Sequence, residues 1–257
     1  MTMQAWTTGV ALRHASEAPQ RPRLREPQGA DELAVAGVDT RSAVQLLDRL
    51  LEAAPCQSAQ LSASDRDALL AALHRRLWGD RIVCSLRCPA CEAMYDLSFE
   101  LSQLQRQLAE QGEAGRTLGL RCIADSQGLR FTLPSADEEA AAAQSGLNAG
   151  MARLANGIAD DECIDTETLD ERLEGLAPLL DIDLNAPCAE CGHSQLARFD
   201  IQSFVLQRLL DEREGVLSDV HALASGYGWS LGEIVGLPRS LRRSLVQRLG
   251  ASPADWG

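Results

Sequence analysis

The spacing of apolar residues divides the chain into stretches of two periods. Thr40 reads as an N-cap, and Val44, Leu47, Leu50 and Leu51 follow at helical spacing until Pro55. A second helix starts near Ser62 or Ser64 and carries Leu69, Leu70, Leu73 and Leu77 on one face. Asp65 and Asp67 fall in its first turn, Arg75 and Arg76 in its last, and Gly79 is its stop, the order the helix dipole favours. His74 on this helix reads as a surface or partly buried residue. The period then drops to two. Arg81–Arg87 and Ala93–Phe99 read as strands, followed by a short helix over Leu101–Leu108. Leu118, Leu120 and Cys122 alternate against Leu129, Phe131 and Leu133 as a second hairpin turning at Asp125–Gly128, with Cys122 a small buried hydrophobe.

Helical spacing returns after Leu133. Ser135 and Glu138 form a capping box before an Ala-rich helix. Leu147, Met151 and Leu154 mark a second helix, and Leu169, Leu173 and Leu176 a third that opens at Thr166 or Thr168. Asp181-Ile-Asp-Leu184 alternates as a half-buried strand does. The tail is helical: Val216, Val220, Leu223 and Tyr227 share a face, and Ser230 with Glu233 caps Ile234 and Val235. Beyond Pro238, Leu241, Leu245, Val246 and Leu249 repeat up to Gly250. Residues 1–30 show neither period. Their mixture of Pro and Arg reads as a disordered arm.

One pattern occurs twice, 100 residues apart. Cys88-Pro-Ala-Cys91 falls on Cys188-Ala-Glu-Cys191, with Ile82 on Ile182 and Cys84 on Leu184 before it. Phe99-Glu100-Leu101 falls on Phe199-Asp200-Ile201 after it, and Leu104 on Phe204. The repeated unit is strand, Cys-x-x-Cys knuckle, strand, helix. Two thiolate pairs on tight turns make a tetrahedral four-sulfur site, the coordination of a structural Zn2+ with no open position. The knuckles of such sites are usually ~15–20 residues apart, whereas 96 residues separate Cys91 from Cys188 here. A shared site therefore stitches distant parts of the chain together. The other readings are two separate sites recruiting Cys84 or His193, two free Cys-x-x-Cys turns, a redox pair, a disulfide set, or a relic without metal. His193 is read either as a neighbour that hydrogen-bonds a ligand sulfur or as an alternative ligand.

Composition narrows the class. The chain has 257 residues and is 45% apolar but only 4% aromatic, so its core is built of Leu, Ala, Val and Ile. A net charge of −13 argues against a general nucleic-acid binder. Thirteen acids between Phe131 and Pro187 face only Arg153 and Arg172, so that segment carries −11. Its acids read either as a solvated surface or as a docking site for a basic partner. No apolar run reaches the length of a membrane span, and the N-terminus lacks the pattern of a signal peptide. Eight cysteines in that setting fit a reducing cytoplasm, with Cys56 and Cys163 standing alone in loops.

The tail carries a resemblance. Val220-His-Ala-Leu-Ala-Ser-Gly-Tyr227-Gly-Trp229-Ser-Leu-Gly-Glu233-Ile-Val-Gly-Leu-Pro238, leading to Arg239, Arg242 and Arg243, resembles a C-terminal phage-tail signature. It is that of the baseplate hub assembly proteins of contractile-tailed phages and of extracellular contractile injection systems. Asp65-Arg66-Asp67 before Leu69-Leu70, Gly79-Asp80-Arg81-Ile82 and both cysteine knuckles are similar to the longer, knuckle-bearing members. The family's Tyr after the Arg pair is replaced here in the region of Leu245 and Val246. The resemblance implies a chaperone or minor hub subunit without enzymatic turnover.

These readings define an α+β protein: two zinc-ribbon-like β-hairpin modules sharing a four-cysteine site, short helices around them and a helical C-terminal tail. The expected segments are an arm (1–30), N-terminal helices (31–80), the first module plus hairpin (81–133), an acidic insert (134–180), the second module (181–210) and the tail (211–257). The expected function is a non-enzymatic assembly factor or minor component of a baseplate, in the bacterial or host-cell cytoplasm. Its expected partners are baseplate or hub proteins, not nucleic acid, membrane or a small substrate. Cys88, Cys91, Cys188 and Cys191 hold the zinc, and Tyr227, Trp229, Arg239, Arg242 and Arg243 are the partner-binding residues, since Tyr, Trp and Arg dominate interface hot spots. The alternative is a zinc-ribbon nucleic-acid-binding regulator using the basic last helix. An enzyme is not expected, because none of the four histidines has a Ser or Cys partner at a recognisable spacing.

Overall fold

The computed structural model describes residues 5–15, 21–52, 57–112, 115–158 and 166–250. Pro55, Cys56 and Cys163 lie outside them. The chain begins with strands β1 (Thr7–Gly9) and β2 (Arg23–Arg25), then helices α1 (Gly29–Ala34) and α2 (Thr40–Leu50), which runs directly into β3 (Leu51–Glu52). β2 is the middle of an antiparallel sheet, with Leu24 opposite Thr8 on one side and Leu51 on the other. The described part of the expected arm is therefore ordered. Val10, Leu12 and Leu24 are buried. Their partners lie tens of residues away, so no local period announces them. Asp39, rather than Thr40, caps α2 by accepting from the Ser42 N–H.

After a 3-10 turn (Ser58–Gln60), α3 spans Ala63–Trp78, capped by Ser62 and ended by Gly79 at φ 92°. The first module follows: β4 (Arg81–Arg87), β5 (Met94–Glu100) and α4 (Leu101–Gln111). The next stretch is three short strands, β6 (Arg116–Gly119), β7 (Cys122–Ala124) and β8 (Arg130–Thr132). The expected single strand over Leu118–Cys122 is broken, because Arg121 takes a left-handed φ of 61° and the chain turns there. Cys122 is half-buried, and Ile123 and Phe131 fill the core beneath instead. The acidic insert forms α5 (Ala136–Gln144), with the expected capping box, α6 (Leu147–Ile158) and α7 (Thr166–Leu176). The second module is β9 (Asp181–Pro187), β10 (Ser194–Asp200) and α8 (Ile201–Asp211). The tail is α9 (Arg213–Tyr227), α10 (Leu231–Val235) and α11 (Arg239–Gly250).

The sheets are small and antiparallel among many helices, an α+β arrangement. The main core draws on residues from Val10 to Leu209, combining the N-terminal strands, α2, α3 and the helices of both modules. A second cluster joins Ile123, Phe131 and Leu133 to Ile158, Leu169 and Leu176 of the insert. Among the described residues no helix is long and apolar enough to cross a membrane.

Asp65, Arg66 and Asp67 are buried rather than displayed on the first turn of α3. The Arg13 and His14 N–H groups donate to the Asp65 carboxylate at 2.7 and 3.0 Å. The Arg66 guanidinium donates to the Leu61 carbonyl and to Glu139 of α5. The Leu180 N–H donates to Asp67 at 2.9 Å. Three adjacent charged residues thus tie α3 to the N-terminus, the insert and the threshold of the second module. His74 is likewise wholly buried, packed between the rings of Trp78 and Phe204.

Candidate metal centre

The two modules repeat hydrogen bond for hydrogen bond at the 100-residue offset. In each hairpin seven residue pairs face one another, from Arg81↔Glu100 to Arg87↔Met94 and from Asp181↔Asp200 to Pro187↔Ser194. The Cys88 N–H donates to the Ala93 carbonyl at 2.9 Å, and the Cys188 N–H to the His193 carbonyl at 2.8 Å. The first cysteine's carbonyl accepts from the Glu92 N–H in one knuckle and from the Gly192 N–H in the other. That closing residue is left-handed in both, φ 60° for Glu92 and 72° for Gly192. The helices start alike too: the Leu101 N–H donates to the Asp80 carbonyl and the Ile201 N–H to the Leu180 carbonyl.

The hairpins pack against each other, and their knuckles meet. The Tyr95 hydroxyl donates to the Ala186 carbonyl at 2.8 Å, and the Gln195 side-chain amide donates to Tyr95 and to the Arg87 carbonyl. Phe99 and Phe199 stand edge to face with centroids 5.0 Å apart. Cys88, Cys91, Cys188 and Cys191 then converge, all four sulfurs within 4.8 Å of one another. Cys88 Sγ lies 3.6 Å from Cys191 Sγ, and Cys91 Sγ lies 3.8 Å from Cys188 Sγ. A disulfide would hold sulfurs at about 2.0 Å. Sulfurs around one tetrahedral ion at about 2.3 Å lie about 3.8 Å apart, which these contacts match. The four cysteines expected from the sequence are thus brought within reach of one metal ion.

The electrostatics are compatible with a bound cation. Burial pushes the Cys88 thiol up, but the backbone N–H groups of Cys91 and Ala90 and the sulfurs of Cys191 and Cys91 bring it down to about 6. The Ala93 N–H lowers Cys91, yet the Cys191 sulfur, burial and the sulfurs of Cys88 and Cys188 push it up to about 12. One thiolate forms readily, and the next is opposed by the first. Four thiolates together need a positive charge among them.

His193 is exposed and stands outside the sulfur cluster. Cys84 packs against the main core, where burial pushes its thiol up. Neither supports a separate site. Tyr95 and Gln195, which clasp one hairpin to the other, carried no signal in the sequence beyond falling at equivalent positions.

The structure divides the expected partner-binding residues. Tyr227 is 40% exposed and stacks on Trp229 at 5.0 Å, with Leu231 60% exposed nearby in the chain. Arg239 and Arg242 are not on the surface: they are 3% and 0% exposed. Both donate to Glu32 of α1; Arg239 also pairs with Glu212, and Arg242 with Asp219 at 3.1 Å. The Trp78 indole N–H donates to the same Glu212 at 2.8 Å. A Cβ on Gly29 would lie 3.0 Å from Arg242 Nη1 and 3.1 Å from Val235 Cα, so a side chain there would need α1 and the tail to give by a few tenths of an ångström. Arg243 remains half-exposed and pairs with Glu212. The acids that take Arg239 and Arg242 inside lie up to 210 residues away, beyond reach of local pattern reading. No protein-family model, curated protein or solved structure matches the chain.

Proposed function

We propose that the four thiolates bind one structural Zn2+, and that the chain is a non-enzymatic assembly factor or minor component of a contractile phage-tail-like baseplate, acting in the cytoplasm of its cell through protein contacts. Zinc is preferred because an all-thiolate tetrahedral set suits it and leaves no coordination position for chemistry. The observation that carries the binding role is the Tyr227–Trp229 stack: an exposed tyrosine on a half-buried tryptophan, on a tail held by buried ion pairs. Rigid aromatic anchors supply contact area at low entropic cost, the profile of interface hot spots. The burial of Arg239 and Arg242 weighs against the nucleic-acid reading, since it takes two of the last helix's four arginines out of reach of a phosphate backbone. The test is recovery of baseplate proteins by tagged wild type and by Trp229→Ala. Loss of recovery with an unchanged circular dichroism spectrum is expected, and equal recovery by a folded variant overturns the proposal.

A further inference from the structure

All four sulfurs lie within 4.8 Å of one another, and two of the contacts run directly from one module to the other. Each of these two contacts joins an exposed cysteine residue to a buried one: Cys191 to Cys88 at 3.6 Å, and Cys91 to Cys188 at 3.8 Å. Solvent and small oxidants therefore approach each pair from its exposed cysteine, while the buried cysteine of the pair lies on the other hairpin. Exposed thiolates beside a resolving thiol are the sites where oxidation starts.

We infer that this centre is a peroxide-modification site whose oxidised form is a pair of cross-module disulfides, Cys88–Cys191 and Cys91–Cys188. The proposal rests on the zinc reading for its starting state. The thiolate of Cys91 or Cys191 attacks one oxygen of hydrogen peroxide. The O–O bond breaks, an S–O bond forms, and hydroxide leaves. The contacting sulfur of the other module then attacks the sulfenic sulfur. The S–S bond forms, the S–O bond breaks, and a second hydroxide leaves. Each pair gives two electrons to one peroxide, so two peroxides consume all four thiolates. Zn2+, which has no redox chemistry of its own, is released because its donors are gone.

The pairing has a structural consequence. A disulfide within a knuckle closes a very small loop and would leave the modules joined only by their packing. The cross-module bonds join residues 103 and 97 positions apart. They close long loops, which restrict the unfolded chain far more. The covalent staple thus takes over from the metal, and the hairpins stay docked.

Tryptic peptides separate knuckle-internal from cross-module bridges, because Cys88 and Cys91 share residues 88–106 while Cys188 and Cys191 share residues 173–198. Fragmentation of a joined species then reads the pairing, and Cys88 joined to Cys188 overturns the inference. Zinc-loaded full-length protein is treated with hydrogen peroxide, alkylated and digested without reductant. The expected product is one species containing both peptides, formed as one zinc per chain is released, with a melting temperature above that of the reduced, chelator-stripped protein. Two separate peptides, each internally bridged or carrying sulfinic acids, overturn the inference, as does zinc retained through the treatment. Metal analysis of the untreated protein separates the two claims. Zinc present with knuckle-internal bridges sinks this proposal alone, whereas cross-linked peptides from protein that never held zinc sink the zinc reading.

Discussion

The first and second modules share a backbone plan but occupy different places in the molecule. Helix α4 of the first buries fully only Leu101 and Leu104, with Leu108 half-buried against the core. Helix α8 of the second buries Ile201, Val205, Leu206 and Leu209 and packs against α1, α2, α3 and α9. The second module is also tied from outside, by Asp67 to Leu180 and by His74 against Phe204. One repeated unit therefore works once as an edge and once as a centrepiece. Apolar residues added to a helix face, Val205-Leu206 and Leu209, are what recruit the rest of the core around it.

At the metal this asymmetry should vanish. If the cluster holds the proposed zinc, Cys91→Ser and Cys191→Ser should each abolish metal binding and destabilise the fold to the same large extent, read by metal analysis and urea unfolding. Structural zinc supplies ~10–16 kcal/mol of apparent binding free energy in small zinc-finger peptides, so this is the largest effect. A clear difference in unfolding midpoint between the two variants would break the equivalence of the knuckles.

In the helices the asymmetry should be plain. Leu206→Ala in α8 removes a wholly buried side chain and is expected to cost about 2–5 kcal/mol. Leu108→Ala in α4, where the residue is half-buried, is expected to cost about 1–2 kcal/mol, since less apolar area leaves water there. Equal costs would mean that α4 is as central as α8.

The external tie gives a pH-dependent effect. Burial, then the Asp200 and Glu139 carboxylates, push Asp67 up to about 7, against a lowering by the Leu180 N–H. The folded state thus holds a proton that the unfolded state releases near pH 4. Asp67 subtracts stability increasingly as pH rises through the window from about 4 to 7. Asp67→Asn keeps an acceptor for Leu180 and is expected to be neutral below pH 4 and stabilising by about 4 kcal/mol above pH 7. His14 and His74, both lowered to about 4 mainly by burial, work the other way. Their stability contribution is lost as pH falls from about 6.5 to 4, so the variant's difference from wild type isolates Asp67.

The smallest contrast lies in the turns. Gly192 meets no neighbour where a Cβ would be added, so Gly192→Ala costs only the left-handed strain of about 1 kcal/mol. Glu92 already bears that strain and pairs with Arg87 only at the exposed surface. Glu92→Gly is expected to be neutral or slightly stabilising. Calorimetry on both variants reads the difference.

Much of this was legible in the chain. The 100-residue repeat, the Cys-x-x-Cys knuckles, the hairpin pairs and most helix caps are written within a few residues of where they act. The N-terminal sheet was not, because Leu24 meets Leu51 across intervening helices. The Asp65–Asp67 triplet looked like ordinary dipole chemistry, because a helix start gives no sign of which distant N–H groups its carboxylates will accept. Arg239 and Arg242 looked like a basic surface because Glu32 and Asp219 are remote in sequence or on another helix.

Local sequence was enough to place the strands of the two modules, most helices and the thiolates, since backbone propensity, side-chain period and ligand chemistry act over short spans. It took the folded molecule to bring the two knuckles to one point, to make one helix of the pair central, and to turn two arginines of the tail inward. Each of these is a long-range choice, governed by which distant surfaces can bury apolar area and satisfy charge at the same time.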